Sequence, residues 1–367
     1  MSAVTNGKYI ANGQAFDNKL EAFNATIPYG HWPHWDFNEN FFSKFKWDKE
    51  PTETLEELYV KRAEQIRKKY DYLILTYSGG ADSQNIAEVF TRHKIKLNEL
   101  LNRSVKKNID ANNQSVESDR LSNESIWAAW PGYKKLKERQ LDLKYTYWDW
   151  GQDILDSWKD KKNHKDIPDH FWPPYFAHRE LVNKCDVPKW AKKIGVIHSI
   201  DKPKIKYKEG KFFFYFLDKL LIPRSVNVAW NFTQEIGHEY FYWNPESIMI
   251  LIKQGHVIKK FLKNNPDILA GLDSMEAKDY NFMVNKLVYP WYNENTWQAK
   301  KPNNWIFLEE DKWFFKKIER DHIYYRLLKT YSDAVQNIFK HNKEESQTVN
   351  EYYTLPGCMS KFYDLGE

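Results

Sequence analysis

The chain has 367 residues, of which 42% are hydrophobic, 29% are charged and 17% are aromatic, and its formal net charge at pH 7 is +5. This composition excludes a disordered protein, and the two cysteines, Cys185 and Cys358, exclude a disulfide framework and a cysteine-rich metal site. The modest net charge fits an enzyme that handles phosphates and fits a weak nucleic-acid binder equally well.

Two features of the sequence predict a cytoplasmic protein without a membrane segment. The N-terminal sequence MSAVTNGKYI lacks the basic region and the apolar run of a secretory signal. The longest apolar clusters, FFFYF and IMILI, are too short to span a bilayer. The low cysteine content adds to this expectation, because it is typical of a reducing compartment.

Residues 1–50 are rich in Asn, Phe, Trp and Pro and show little periodicity. We interpret them as an extended N-terminal arm that packs on the rest of the protein through its aromatic side chains. His31 and His34 have a spacing that could ligate a metal, but Pro33 indicates a loop and no third ligand is near in the sequence. Aromatic packing is therefore the preferred interpretation of these two histidines.

Helical and strand patterns alternate from residue 51 to about residue 235, whereas residues 104–124 are polar and predict a long loop. Thr54 and Glu57 form a capping box before a helix with apolar residues at helical spacing. Further patterns predict strands at 72–77, 97–101, 143–150 and 194–200, a helix at 82–92, the end of a helix at 189–193, and a hairpin turning at Glu209-Gly210. Strands that alternate with helices are typical of a mainly parallel sheet, so the predicted fold class is α/β.

Beyond about residue 235 the pattern becomes mainly helical. Asn244 can cap, and Pro245 can open, a long helix over residues 246–263, and helical sequence continues to about residue 340. We therefore divide the chain into an N-terminal arm (1–50), an α/β domain (51–235) and a helical C-terminal region (236–367).

The segment SGGADS lies between a predicted strand and a predicted helix. Such a turn predicts an anion site, because Gly79 and Gly80 let backbone N–H groups converge and the helix N-terminus adds partial positive charge. Ser78 and Ser83 add hydroxyl donors. Asp82 would repel a phosphate unless it holds a Mg²⁺ ion that joins the carboxylate to the phosphate.

SGGADS after a strand resembles the SGGxDS PP-loop of the ATP pyrophosphatases, the superfamily of adenine nucleotide α-hydrolases. This group includes asparagine synthetase, argininosuccinate synthetase, lysidine synthetase, tRNA-modifying thiolases and phosphoadenosine phosphosulfate (PAPS) reductase. The close resemblance covers six contiguous residues, and a looser one covers the α/β region. It implies a parallel-sheet HUP/Rossmann-like domain with ATP and Mg²⁺ as cofactors.

The resemblance also implies a reaction and roles for individual residues. In that family a substrate oxygen attacks the α-phosphorus of ATP, pyrophosphate leaves, and a nitrogen or sulfur nucleophile then displaces AMP. At the matching positions, Ser78, Gly79, Gly80, Asp82 and Ser83 would bind the pyrophosphate end of ATP. Asp82 would be the metal ligand, and Asp82 and Ser83 would take part in catalysis.

Asp201 and Lys202 follow the strand predicted at 194–200, so their loop is expected at the same sheet edge as the glycine turn, where α/β ligands bind. Lys202 would neutralise phosphate charge during catalysis and Asp201 would complete the nucleotide site. A plain surface turn is the alternative. The lysines that alternate from Lys202 to Lys208 could hold a polyanion such as tRNA, but a solvated edge strand is the preferred interpretation.

The chain departs from several branches of the family. Residues 1–71 are too few for a glutaminase domain, and Ser2 stands where a processed cysteine nucleophile would be. Cys185 lacks a CxxC partner for sulfur transfer, and Cys358 in LPGCMSKFY lacks the ECGxH setting of PAPS reductases. The favoured function is an ATP-dependent adenylating enzyme of the synthetase or ligase type with a small-molecule or tRNA acceptor. The alternatives are a PAPS reductase-like enzyme and a non-catalytic nucleotide-binding protein.

Overall fold

In a computed structural model of the protein, the described residues are 9–16, 22, 25, 34–104, 125–149, 182–199, 203–216, 235–293 and 359–367. Within them, the helices are α1 (Glu39–Phe42), α2 (Leu55–Lys69), α3 (Ala81–Arg92), α4 (Trp130–Arg139), α5 (Ile248–Lys263), α6 (Pro266–Ala270) and α7 (Ala277–Val288). The strands are β1 (Tyr9–Ala11), β2 (Gln14–Phe16), β3 (His34–Trp35), β4 (Tyr72–Thr76), β5 (Glu99–Ser104), β6 (Lys144–Asp149), β7 (Lys193–His198), β8 (Lys204–Lys208), β9 (Lys211–Tyr215), β10 (Glu235–Tyr240) and β11 (Tyr363–Asp364). A π-helical turn spans Ser125–Ala129, and 3₁₀ turns span Val182–Lys184, Pro245–Ser247 and Leu272–Ser274.

The central feature is a five-stranded parallel sheet with the strand order β10-β7-β4-β5-β6. This parallel sheet confirms the predicted α/β class and is compatible with a Rossmann-like fold. Read from β6 to β10, the strands are the third, second, first, fourth and fifth strands of this sheet along the chain. This is a doubly wound order. The order reverses between β4 and β7. The middle of β4, Leu73–Leu75, is fully buried, as expected for the central strand of a parallel sheet covered on both faces.

Local sequence signals predicted α2, α3 and the strands β4 to β7 but missed α4 and β10. The capping box at the start of α2 is confirmed: Thr54 N–H donates to Glu57 Oε2 at 2.8 Å, and Glu57 N–H donates to Thr54 Oγ1 at 3.2 Å. The prediction that a helix ends at residues 189–193 is wrong. Those residues form a turn into β7, and the Asp71 carboxylate accepts the N–H groups of Lys192 and Lys193 at 3.0 and 2.9 Å.

Two glycines of the sheet make room for the side chain of Tyr70, the C-cap residue of α2. A Cβ on Gly195 of β7 or on Gly237 of β10 would lie 2.6 and 2.1 Å, respectively, from the nearest atom of the Tyr70 side chain. The two glycines are directly paired across the strands. The ring of Tyr70 therefore occupies the space that two side chains would fill, and its hydroxyl donates to Glu239 Oε1 at 2.9 Å.

The predicted hairpin is confirmed as β8 and β9, which pair antiparallel in the sheet β11-β9-β8. Its two-residue loop has Glu209 at φ 51° and Gly210 at φ 79°. Two consecutive positive φ angles are typical of the type I′ turn that suits the twist of a tight hairpin.

The alternating lysines lie on β8, which is an edge strand of its sheet. Lys206 forms an ion pair with Asp273 at 2.7 Å, and Lys204 Nζ lies 5.0 Å from the ring centre of Tyr280. Lys202 lies outside the described residues. The edge position of β8 is confirmed, whereas Lys204 and Lys206 are half-buried and make contacts within the protein.

The described part of the N-terminal arm is more ordered than the predicted extended segment, since it forms the antiparallel sheet β2-β1-β3 and the helix α1. Its aromatic side chains do pack on the rest of the protein: Phe37 stacks on Trp243 with ring centroids 5.9 Å apart. His34 lies edge-on to Phe37 at 6.2 Å, in agreement with aromatic packing, while His31 lies outside the described residues.

The long helix of the C-terminal region is preceded by the predicted cap: Asn244 Oδ1 accepts the N–H of Glu246 at 2.8 Å. A 3₁₀ turn precedes α5, so the α-helix proper starts two residues later than predicted. The strand β10, which begins at the predicted boundary near residue 235, belongs to the central sheet. Helices α6 and α7 follow, and the predicted helical sequence from residue 294 onward lies outside the described residues. Among the described helices, none is long and apolar enough to cross a membrane.

Candidate functional site

The SGGADS segment joins the C-terminal end of β4 to α3. It lies at the carboxyl ends of the strands, at the point in the central sheet where the strand order reverses. The neighbouring strand β7 ends at the same edge, and Thr76 Oγ1 donates to the carbonyl oxygen of Ile197 at 3.0 Å. In doubly wound sheets the crevice at this reversal is the usual ligand site, because the two flanking loops diverge there. Ser78, Gly79, Gly80, Asp82 and Ser83 are thus brought together at the expected place.

The loop closes on itself through its two serines. Ser78 Oγ accepts the N–H of Gly80 at 3.2 Å, and Ser83 Oγ accepts the N–H of Ser78 at 3.3 Å. Ser83 Oγ also donates to the Gly80 carbonyl at 3.2 Å. Ser83 is 1% exposed, so its hydroxyl shapes the loop from inside, whereas Ser78 is only half-buried.

Gly79 has two separate reasons to be glycine. Its φ of +73° is in the left-handed region, which side chains rarely adopt. A Cβ at this position would also lie 2.3 Å from the backbone nitrogen of Ala129 and 2.4 Å from the carbonyl carbon of Ala128. The turn that leads into α4 therefore forms one wall of the loop. Gly80 is the N-cap of α3 in an extended conformation, with no side-chain hydrogen bond capping the helix.

Asp82 is held by two tyrosines from the C-terminal region. Its Oδ1 accepts a hydrogen bond from the hydroxyl of Tyr289, the C-cap residue directly after α7. Its backbone carbonyl accepts the hydroxyl of Tyr242 at 3.0 Å, and Asn85 Nδ2 donates to that same hydroxyl oxygen at 2.9 Å. Sequence reasoning missed both tyrosines, since nothing in the local sequence marks them.

The tyrosine hydroxyls keep their protons at neutral pH. Burial raises the pKa of Tyr289 well above its ordinary value, and the charge of Asp82 raises it further. Burial likewise raises the pKa of Tyr242, with added effects of Tyr59 and Asp82. Both hydroxyls are therefore donors: Tyr289 donates to the carboxylate of Asp82 and Tyr242 to its backbone carbonyl.

The surroundings of Asp82 are better suited to a magnesium ion bound together with a nucleotide than to a metal ion that has only protein ligands. In the described part of the chain, no group of three or more His, Cys, Asp or Glu side chains could hold a metal ion. Mg²⁺ bound with a nucleotide takes most of its ligands from phosphates and water and needs only one or two carboxylates. The half-buried carboxylate of Asp82, at the start of α3, is a donor of the required kind.

A pair of histidines, His198 buried and His238 half-buried, lies beside the same ends of the strands. His198 Nε2 is 2.9 Å from His238 Nδ1, and His198 Nδ1 is 3.4 Å from Thr76 Oγ1, so polar groups of three adjacent strands form one chain. Burial lowers the pKa of His238 to about 4, and burial, His238 and Arg103 lower that of His198 as well. Both imidazoles are therefore neutral at pH 7. Sequence reasoning missed the pair, because the residues are 40 positions apart.

Of the other residues considered in the sequence analysis, some lie outside the described part of the structure. Asp201 and Lys202 lie outside the described residues, although β7 delivers the chain to the predicted edge. Cys358 also lies outside them. Cys185 is half-buried, and burial and Glu99 raise the pKa of its thiol, so it is not a thiolate nucleophile at neutral pH. Glu99 begins β5, so this cysteine is at the sheet edge opposite the SGGADS loop.

The described geometry provides a left-handed glycine turn, a helix N-terminus and one carboxylate at the reversal point of a parallel sheet. This arrangement can bind a phosphorylated ligand together with a divalent cation. Comparison of the chain with protein-family models, curated proteins and solved structures found no match.

Proposed function

We propose that the chain binds ATP with Mg²⁺ at residues 78–83 and cleaves it between the α and β phosphates. An acceptor oxygen would attack the α-phosphorus, and the bond to the bridging oxygen would break with its electron pair going to pyrophosphate. A nitrogen or sulfur nucleophile would then displace AMP from the adenylated acceptor. The observation that carries this proposal is the left-handed Gly79 turn opening into α3 at the reversal point of the sheet. The resemblance of SGGADS to the PP-loop agrees with it.

Each residue of the loop has a distinct part in this proposal. The first turn of α3 has N–H groups without partners inside the helix, and these would bind the departing pyrophosphate. Ser83 fixes the loop from within, and Ser78 lies on its accessible side. Bound Mg²⁺ would neutralise the charge that grows on the leaving group. Asp82 would hold that ion in the orientation set by Tyr289, and Lys202 would add a second positive charge.

A non-catalytic nucleotide-binding protein is the second candidate. The hydrogen bond from Tyr289 to Asp82 favours it, because that contact gives the carboxylate a structural role that requires no metal. In this case the chain would bind nucleotide at α3 without breaking the bond between the α and β phosphates.

Pyrophosphate release from ATP and Mg²⁺ in the presence of candidate acceptors tests the proposal, with calorimetry of ATP binding in parallel. Asp82→Asn keeps the size of the side chain and an acceptor for Tyr289, so the loop should persist while metal-dependent binding and release are lost. Asp142→Asn is the matched control, since Asp142 is exposed and pairs with Lys96 at 2.7 Å. Metal-dependent binding without release for any acceptor would favour the second candidate, and no binding of ATP would refute both.

A further inference from the structure

The outer surface of α4 and of the edge strand β6 carries a group of aromatic side chains. We name it the α4–β6 aromatic face and define it as Trp130, Tyr133, Tyr145 and Tyr147. The rings of Tyr133 and Tyr145 stack with centroids 4.8 Å apart, and Trp130 lies edge-on to Tyr145 at 5.3 Å. Trp130 is 45% exposed and Tyr147 is 40% exposed, so a large part of each side chain is accessible from solvent.

A lysine lies at the most exposed of these rings, and other basic residues are on the same helix. Helix α4 contains four basic residues and one acidic residue. Lys137 donates to the Leu143 carbonyl and Arg139 pairs with Glu88, but Lys134 and Lys135 are exposed. Lys134 Nζ lies 5.4 Å from the ring centre of Trp130, so a cation stands directly at the most open ring.

The aromatic face adjoins the SGGADS loop from two sides. Trp130 directly follows Ala129, whose backbone touches Gly79. Tyr147 is paired with Asn102 across β5 and β6, and Asn102 Nδ2 donates to the carbonyl of Tyr77 at 2.8 Å. A ligand stacked on Trp130 would therefore lie next to the loop.

We propose that the α4–β6 aromatic face binds a single-stranded nucleic acid, with unpaired bases stacked on Trp130 and Tyr147 and phosphates paired with Lys134 and Lys135. Open rings stack on any unpaired base, and lysine pairs with the phosphates that accompany it. A protein partner fits less well, because the core of protein interfaces is depleted of lysine, whereas Lys134 lies at the most exposed ring. A duplex fits less well, because its bases are already stacked on one another.

The test is fluorescence anisotropy of a labelled single strand of about 12 nucleotides, titrated with the full chain in the absence of ATP. This readout does not depend on ATP cleavage, so it can succeed or fail separately from the proposed function. Trp130→Ala should weaken binding by about fivefold to a hundredfold, the contribution of one stacked base, and Trp130→Phe should restore part of it. Lys134→Gln with Lys135→Gln should make the dependence of binding on salt less steep.

Trp190→Ala is the matched control. Trp190 is 64% exposed, but it precedes β7 and so lies at the opposite edge of the sheet. Its removal should leave binding unchanged. The proposal is overturned if no strand binds at low salt, if the Trp130 and Trp190 variants bind alike, or if a duplex binds as tightly as the single strand. A dimer of the chain that Trp130→Ala dissociates would assign the face to a second copy and would also overturn it.

Discussion

Replacement of Gly79 by alanine tests the geometry of the loop most directly. Two costs combine at this position: the left-handed backbone at φ +73°, and a Cβ only 2.3 Å from the backbone of Ala129. A left-handed conformation costs an L-residue about 1–2 kcal/mol, and overpacking against backbone costs about 1–3 kcal/mol. The free energy of unfolding should therefore fall by about 2–5 kcal/mol in Gly79→Ala.

Gly210→Ala separates the two costs. Gly210 has nearly the same φ, +79°, yet nothing lies within 4 Å of a Cβ placed there. This control should lose only the backbone contribution, about 1–2 kcal/mol. Urea unfolding followed by tryptophan fluorescence measures both variants, and calorimetry with ATP and Mg²⁺ measures the site. If Gly79→Ala is no less stable than Gly210→Ala, the loop does not pack on the turn before α4 and our description of this wall is wrong.

Three further predictions concern other contacts. Tyr289→Phe removes a donor to the Asp82 carboxylate and should lower the free energy of unfolding by about 1.5–3 kcal/mol, as urea unfolding would measure; unchanged stability would contradict this hydrogen bond. His238 has a folded pKa of about 4 against an ordinary 6.5, so its contribution is complete above pH 6.5 and is lost as the pH falls to 4. That loss is about 3 kcal/mol, and His238→Asn should flatten the acid limb of a pH-stability curve; an unaltered limb would refute the assignment. Thr54→Ala removes the N-cap of α2 and should cost about 1 kcal/mol in urea unfolding, whereas Thr52→Ala, at an exposed position just before it, should cost nothing measurable; equal losses would contradict the capping box.

The sequence predicted those parts of the fold that local chemistry determines. The capping box of α2, the buried run of β4 and the turn at Glu209-Gly210 each depend on residues within a few positions of one another. The SGGADS loop belongs to the same class, because its turn and its helix start are local features. Its position at the carboxyl ends of the strands followed once the sheet was taken as parallel, whereas the strand order and its reversal beside β4 come from the structure alone.

Contacts between distant residues were beyond prediction. The helix expected at 189–193 does not form, because the distant Asp71 carboxylate binds two backbone N–H groups there and favours the extended entry to β7. The pairing of His198 with His238 depends on the register of two strands that are separated by 40 residues. The donors to Asp82 come from Tyr242 and Tyr289, whose surroundings carry no recognisable pattern.

The bond between Tyr289 and Asp82 spans 207 positions of the chain, and this span has a consequence during synthesis. At about 5–20 residues per second, a ribosome needs roughly 10–40 s to add that stretch. Throughout this interval the nascent chain already contains its SGGADS turn but lacks the hydroxyl that orients the aspartate. The aspartate thus acquires its final setting late in translation, and a chain interrupted before residue 289 carries the motif without the finished site.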